Sequence, residues 1–185
     1  MRNILRALVV TITACLFAMP AVSQQEKGDS ELGLSGAFTV TNNDTSSASG
    51  FADFTYGYYF SDHDVIGLGA EPFVQKDVYN LYLFAQYRHL FGPKTGKVFP
   101  FVGGGGGFNT LHLNAAASAT GSSSNTTYGL AVGEAGVKFF VSQRTAFEVA
   151  YNLRYISASG GSFAANSTSA IVFGFTHLFG GHQRR

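Results

Sequence analysis

The chain has 185 residues, only 12% of them charged, with 12 Lys and Arg against 11 Asp and Glu and a formal net charge of +1. A soluble domain usually carries about twice that charged share, and the near-neutral balance gives no reason to expect nucleic-acid binding. No stretch beyond the N-terminal segment reaches the eighteen or so apolar residues of a membrane helix, so the low charge, 18 Phe, 9 Tyr and 23 Gly point instead to a membrane sheet.

The N-terminus reads as an export signal. Arg2 and Arg6 precede an apolar stretch, Ala7 to Met19, and Ala21-Val22-Ser23 offers the small residues a signal peptidase needs. Residues 1–23 are therefore expected to be a cleaved signal peptide of the Sec pathway, and the loss of Arg2 and Arg6 moves the net charge from +1 to about −1. Ile12-Thr13-Ala14-Cys15 loosely resembles a lipoprotein processing box, but Leu16-Phe17-Ala18-Met19 continues the apolar run past the cysteine. Cys15 is the only cysteine, so a chain cut after Ser23 has no disulfide, zinc or thiol chemistry. Residues 24–30 are expected to be a short periplasmic segment.

From there the pattern has period two. A first strand is expected near Glu31–Val40, with Leu32, Leu34 and Phe38 on one face. In the second, Ala52, Phe54, Tyr56, Tyr58 and Phe60 alternate with Asp53, Thr55, Gly57 and Tyr59. The third covers about Asp64–Pro72. The fourth sets Leu81, Leu83, Ala85 and Tyr87 against Tyr82, Phe84, Gln86 and Arg88. A glycine-laden fifth follows at Val98–Thr110, and a sixth at Thr127–Val141. In the seventh, Phe147, Val149, Tyr151, Leu153 and Tyr155 alternate with Glu148, Ala150, Asn152 and Arg154. The last is Thr168–Phe179, where Ile171, Phe173, Phe175 and Phe179 share a face. Successive strand residues point to opposite sides, so each segment has a greasy face and a mixed one. Eight such strands over residues 31–179 predict an all-β, eight-stranded, antiparallel up-and-down transmembrane barrel, followed by a polar tail, residues 180–185.

The connections fall into two sets. Thr41–Ser49, Phe73–Asp77, Leu111–Thr126 and Ala158–Ser167 follow the odd strands, and three of the four are long and polar. Ser61-Asp62-His63, Phe91–Lys97 and Ser142-Gln143-Arg144 follow the even ones and are mostly tight. Short periplasmic turns and longer outer loops are the habit of outer-membrane barrels, which would leave both termini in the periplasm.

A soluble cup with its apolar face inward would use the same strands, so the charges decide. Glu31, Asp53, Glu71, Arg88, Glu134, Lys138, Glu148 and Arg154 all fall opposite the greasy face; only Asp64, at a strand start, does not. Eight strands enclose an interior barely wide enough for side chains, which suits a few paired charges and not a crowd of rings. The aromatics are expected to meet lipid. Tyr58, Phe60, Tyr87 and Phe179, near strand ends, form the interfacial girdle, with Phe54, Phe173 and Phe175 deeper.

The final strand, Ala170-Ile171-Val172-Phe173-Gly174-Phe175-Thr176-His177-Leu178-Phe179, resembles the C-terminal insertion signal of outer-membrane proteins. Tyr87-Arg88-His89-Leu90-Phe91, Pro100-Phe101-Val102-Gly103-Gly104-Gly105-Gly106-Gly107-Phe108 and Gly133-Glu134-Ala135-Gly136-Val137-Lys138-Phe139-Phe140 are similar to strands of OmpA/OmpX-like β-barrel domains. The likeness runs over essentially the whole mature chain as a pattern of residue types. It implies an outer-membrane location, with lipopolysaccharide and outer-membrane lipids around the barrel, and the insertion machinery and periplasmic chaperones as assembly partners. Ile171, Phe173, Phe175 and Phe179 would carry the insertion signal. Two features depart from the pattern: Gly180 to Arg185 follow the terminal aromatic, and His177 replaces a frequent tyrosine. With six residues after Phe179, the wall-binding domain of larger OmpA-type proteins is not expected.

Candidate chemistry is sparse. Gly103 to Gly107 lack the following helix that a phosphate cradle needs, and their facing is unreadable from alternation. Among five histidines, His63, His89, His177 and His182 fall at turns, turn-side ends or the tail. Only His112 is expected in an outer loop, where a lipid A-modifying enzyme would place a histidine near a serine. The most concrete constellation is the inward set Glu71, Arg88, Glu134, Lys138, Glu148 and Arg154, expected to form a structural plug of ion pairs. No cofactor or metal is expected. The leading expectation is a monomeric, non-enzymatic barrel with a structural or adhesive role through its outer loops; a lipid A-modifying enzyme and a narrow solute pore are the alternatives.

Overall fold

The computed structural model describes residues 25–41, 47–75, 78–113, 124–157 and 166–180; the expected signal peptide 1–23 and all of the expected tail 180–185 except Gly180 fall outside them. Eight strands follow in order: β1 (Ser30–Thr41), β2 (Ser47–Tyr59), β3 (Asp64–Gln75), β4 (Val78–Leu90), β5 (Val98–Leu113), β6 (Ser124–Phe140), β7 (Thr145–Ile156) and β8 (Asn166–Phe179). Each pairs antiparallel with the next, and β8 returns to β1 to close the barrel. Closure satisfies the backbone groups that an open sheet would leave at its edges, the condition for crossing hydrocarbon with strands.

The strands run further than the sequence pattern suggested. β5 and β6 have 16 and 17 residues, well beyond the roughly 9–11 of a tilted membrane strand. Both ends of the expected loop Leu111–Thr126 are thus strand, residues 111–113 in β5 and 124–126 in β6. Thr110↔Thr127, Leu111↔Thr126 and His112↔Asn125 continue the ladder, because Thr and Asn pair across strands as readily as they solvate a loop. Likewise β3 and β4 leave only residues 76–77 between them, where Phe73–Asp77 had been expected to be a loop. Closure is weaker at the seam. The β1–β8 ladder holds seven pairs and stops at Gly36↔Phe173, although both strands continue.

The facing is inside-out relative to a soluble protein. Among the described residues, twenty-two large hydrophobic side chains are exposed, with Phe108 and Leu68 at 65% and 64%. Such a continuous apolar coat exceeds by far what a soluble monomer leaves in water. Leu32, Leu34, Phe54, Ile66, Leu83, Val102, Tyr151 and Phe173 belong to this coat, as do Ile171, Phe175 and Phe179 of β8. The other face is enclosed. Tyr59, Val65, Leu90, Phe99, Phe101, Phe140, Ala146 and Leu178 pack together towards the end where the short turns lie. Tyr82, Phe84 and Leu130 form a second cluster in the loop-side half, with Phe73, Val132 and Ile156 against it.

The run Gly103 to Gly107 now has a facing. Buried Phe101 and Asn109 put Gly103, Gly105 and Gly107 in phase with the lumen, and exposed Val102 and Phe108 put Gly104 and Gly106 outside. A Cβ on Gly105 or Gly107 would stand 2.0 or 1.9 Å from the backbone oxygens of Ala85 and Leu83. The β4–β5 backbones approach too closely there for any side chain.

Candidate functional site

The lumen collects the charges in two groups. The larger lies just above the turn-side cluster. Lys138, fully buried on β6, donates to Glu31 Oε2 at 2.7 Å and reaches Glu148 Oε1 at 2.9 Å. Glu148 stands directly across the ladder from it, on β7. The Tyr59 hydroxyl donates to the same Glu31 oxygen at 2.8 Å and accepts from Lys138 at 3.2 Å. Arg88 of β4 donates Nε–H to Glu134 Oε1 at 2.6 Å and Nη2–H to Glu134 Oε2 at 3.2 Å, a fork on one carboxylate. Its Nη1 lies 3.3 Å from Glu148 and 3.7 Å from Glu31, and its guanidinium stacks over the Phe101 ring at 4.8 Å.

The register explains why the fork can close. Arg88 and Glu134 sit on strands two apart, and the residue between them in the ladder is Gly103. A Cβ there would come within 2.7 Å of Glu134 Oε1. Opposite Glu31 the partner is Gly57, which leaves similar room. Small residues on neighbouring strands are what allow long charged ones to span the barrel.

The second group is a single pair. Arg154 of β7 is hydrogen-bonded to Glu71 of β3, both of them buried. The guanidinium is framed by rings, with Phe51 at 4.6 Å and Tyr82 at 5.9 Å. Asp53, 5% exposed, lies nearby with its Oδ1 lacking a hydrogen-bond partner. The six residues expected inward lie in the lumen, where four ion pairs join them: Arg88–Glu134, Arg88–Glu148, Lys138–Glu148 and Arg154–Glu71. Glu148 and Arg154, which share a strand face, are not paired with each other; Glu148 meets Lys138 on the neighbouring strand and Arg88 of β4, while Arg154 reaches across to Glu71 of β3. Glu31, Asp53 and Tyr59 also belong to the site. The first two were legible as inward charges, whereas the Tyr59 hydroxyl carried no signal beyond its phase in β2.

The turn-side rim is polar and tied down. Gly28 N–H donates to the Tyr59 carbonyl at 2.7 Å, and Tyr59 N–H to the Asp29 carbonyl at 2.8 Å. Buried Gln25 donates to the Asp62 carbonyl, and Lys27 N–H to the Asp62 carboxylate at 3.0 Å. Lys94 reaches Asp62 at 3.0 Å and Glu26 at 3.9 Å. These contacts strap residues 25–29 to the β2–β3 turn. The Lys94 ammonium and the Lys27 amide hold the Asp62 carboxyl below its ordinary range, while burial raises that of Asp29. Both chain ends of the barrel lie at this rim, since Ser30 pairs with Phe179.

His182 lies outside the described residues, and the other four histidines are separately engaged. His63 Nε2 meets the Gly92 carbonyl at 2.9 Å, His89 Nδ1 the Asp64 carboxylate at 2.7 Å, and His177 Nδ1 the Thr145 hydroxyl at 3.0 Å. Asp64 also accepts from Ser61 and from Tyr87. His112 is not in a loop but near the end of β5, where its ring pairs with Asn125 on β6 at 2.6 Å. The ladder carries it there.

No protein-family model and no curated protein sequence matches the chain. Solved structures do. Neisserial surface protein A is 15% identical with a TM-score of 0.64, the match covering 82% of this chain and 97% of that one. The N-terminal β-barrel domain of Pseudomonas aeruginosa OprF is 12% identical at 0.62, covering 83% and 98%. Ail, the attachment invasion locus protein of Yersinia pestis, solved with the heparin analogue sucrose octasulfate, is 13% identical at 0.52, covering 83% and 99%. Closed, antiparallel, greasy outside and charged within, the chain has the fold of the small eight-stranded outer-membrane β-barrels.

Proposed function

We propose that this chain is a monomeric, non-enzymatic barrel of a bacterial outer membrane, with its turn-side rim in the periplasm and a surface role at the opposite rim. The observation that carries this reading is the filled lumen between two apolar clusters. Rings and ion pairs occupy the interior where a pore would keep water. The ion pairs Arg88–Glu134, Lys138–Glu148 and Arg154–Glu71 act as a structural plug. β5 and β6 are the longest strands, and their ladder runs out to Leu113↔Ser124, a suitable platform for contact with another surface. The likeness to Ail, the attachment invasion locus protein of Yersinia pestis, supports the same kind of work.

In this reading lipopolysaccharide and phospholipid surround the aromatic coat, and the outward Ile171, Phe173, Phe175 and Phe179 serve as the insertion signal. The experiment has two arms. Refolded protein in planar bilayers is expected to stay electrically silent; steady step conductance would replace the plug by a pore. Cells displaying the chain are expected to lose attachment to host surfaces when residues 114–123 give way to a short Gly-Ser link. Equal attachment by both, or by neither, removes the adhesive role at that hairpin.

A further inference from the structure

The outward face of β4, β5 and β6 does not stay apolar to its loop-side end. Leu83 on β4 and Phe108 on β5 belong to the lipid-facing coat. Beyond them the same face continues in two further rows. Thr110 and Thr127 stand beside Leu81 in the first, and Tyr79, His112 and Asn125 stand side by side in the second. All point away from the lumen, in step with Leu83 and Phe108, while buried Tyr82 and Asn109 point into it. At about 3.3 Å per residue and a strand tilt near 40°, His112 stands about 10 Å above Phe108. A face turned sideways at that height meets the headgroup layer of the surrounding leaflet and not another cell.

The second row is uncharged and mixed in its hydrogen bonding. His112 Nδ1 meets the Asn125 amide oxygen at 2.6 Å. That oxygen only accepts, so Nδ1 carries the proton and Nε2 is left as an acceptor. Asn125 keeps its amide N–H groups as donors, and Tyr79 presents a ring 42% exposed with a hydroxyl at its tip. Residues 78–82, 109–113 and 124–128 contain no lysine or arginine. A phosphate only accepts and is served by such cations, whereas a sugar hydroxyl both donates and accepts, and a sugar's C–H face packs on an aromatic ring.

Below the rows the same strands carry Ala85, Gly104, Gly106, Ala131 and Gly133 outward. A Cβ added at Gly104, Gly106 or Gly133 would meet no side chain within 4 Å. This lane leaves room for acyl chains against the wall. From the two levels together we propose that the β4–β6 wall seats one lipopolysaccharide molecule, with its acyl chains on the small-residue lane and an uncharged sugar of its core oligosaccharide on Tyr79, His112 and Asn125. The seat rests on the placement of the turn-side rim in the periplasm proposed above.

The test titrates the refolded barrel in detergent micelles with fluorescently labelled lipopolysaccharide that carries core sugars, and with lipid A that lacks them. Asn125→Leu and Tyr79→Ala are each expected to weaken the core-bearing ligand about tenfold and lipid A by less than about twofold. Ser169→Leu, outward on β8, should change neither. Asn125→Lys separates the chemistries, since an added cation tightens a phosphate and loosens an uncharged sugar. Unchanged affinity in Asn125→Leu and Tyr79→Ala, an equal loss for lipid A, or tighter binding by Asn125→Lys would each overturn the proposal; if one variant fails to fold, the other reads the same row. Orientation is read separately, with Asn125→Cys expected to react with a membrane-impermeant maleimide on intact cells. Labelling there with unchanged affinity in the variants removes the seat alone; labelling only after permeabilisation removes the proposed orientation and the seat with it.

Discussion

The two halves of the lumen solve the same problem differently. Towards the turns, Glu31, Tyr59, Arg88, Glu134, Lys138 and Glu148 share donors and acceptors, so that each basic residue serves at least two acids. Towards the loops, Arg154 and Glu71 form one pair between Phe51 and Tyr82. A shared network keeps its members charged and fixed because no single contact can be traded for an apolar one without stranding another. An isolated pair has no such constraint, and its loss can be made good by packing.

The largest effect separating the halves should come from Lys138→Met. It leaves Glu31, Glu134 and Glu148 to share Arg88 as the one base of the buried turn-side group, and the expected loss is about 3–5 kcal/mol in urea unfolding of the barrel in vesicles. A loss below about 1 kcal/mol would show that the network does not hold the fold. The loop-side pair should behave in the opposite way when removed whole. Arg154→Met alone is expected to cost about 3 kcal/mol, since Glu71 is left buried and unpaired. Glu71→Leu combined with Arg154→Met should return to within about 1 kcal/mol of the starting protein. If the double variant is as unstable as the single one, the pair is no more replaceable than the network and the contrast fails.

The contrast was half visible in the chain itself. Alternation through β2, β4, β7 and β8 fixes the inward phase of Asp53, Arg88, Glu148 and Arg154, because a single-residue slip would turn each charge into lipid. Which acid meets which base was not visible. Pairing depends on register between strands far apart in sequence, such as Glu71 with Arg154, and on glycines that clear the way. The phase of Gly103 to Gly107 was hidden for a related reason. Phe occurs on both faces around it, Phe101 inward and Phe108 outward, so hydrophobicity there carries no sidedness. Only the outer end of the β5–β6 ladder, from Leu111↔Thr126 to Leu113↔Ser124, reads as loop in the sequence, because Thr, Asn and Ser signal exposure without saying whether the backbone is paired.

Between these extremes lies the glycine lane. Gly105→Val should lose about 1–3 kcal/mol, because its Cβ would meet the Ala85 carbonyl and not a movable side chain. Gly104→Val, facing outward with only the Val132 oxygen near, should cost much less. Similar losses for the two would mean that the strand, not its facing, sets the tolerance.

The smallest effect belongs to the rim. Lys94 is 45% exposed, so Lys94→Ala should change stability by less than about 1 kcal/mol, and the difference should fade in about 1 M salt as the pair is screened. The acid side has a definite sign. Asp62 has its carboxyl depressed by Lys94 and the Lys27 amide, so its contribution is complete above the unfolded value near 3.9 and declines as pH falls through the folded one. Asp62→Asn should therefore narrow the gap in Tm between pH 7 and pH 3, while amide exchange at Gly28 and Tyr59 stays slow. Those two hydrogen bonds are backbone to backbone and carry no charge. If their exchange rises with the loss of the carboxylate, the strap is held by Asp62 rather than by the ladder-like contacts, and the rim opens far more easily than the interior it covers.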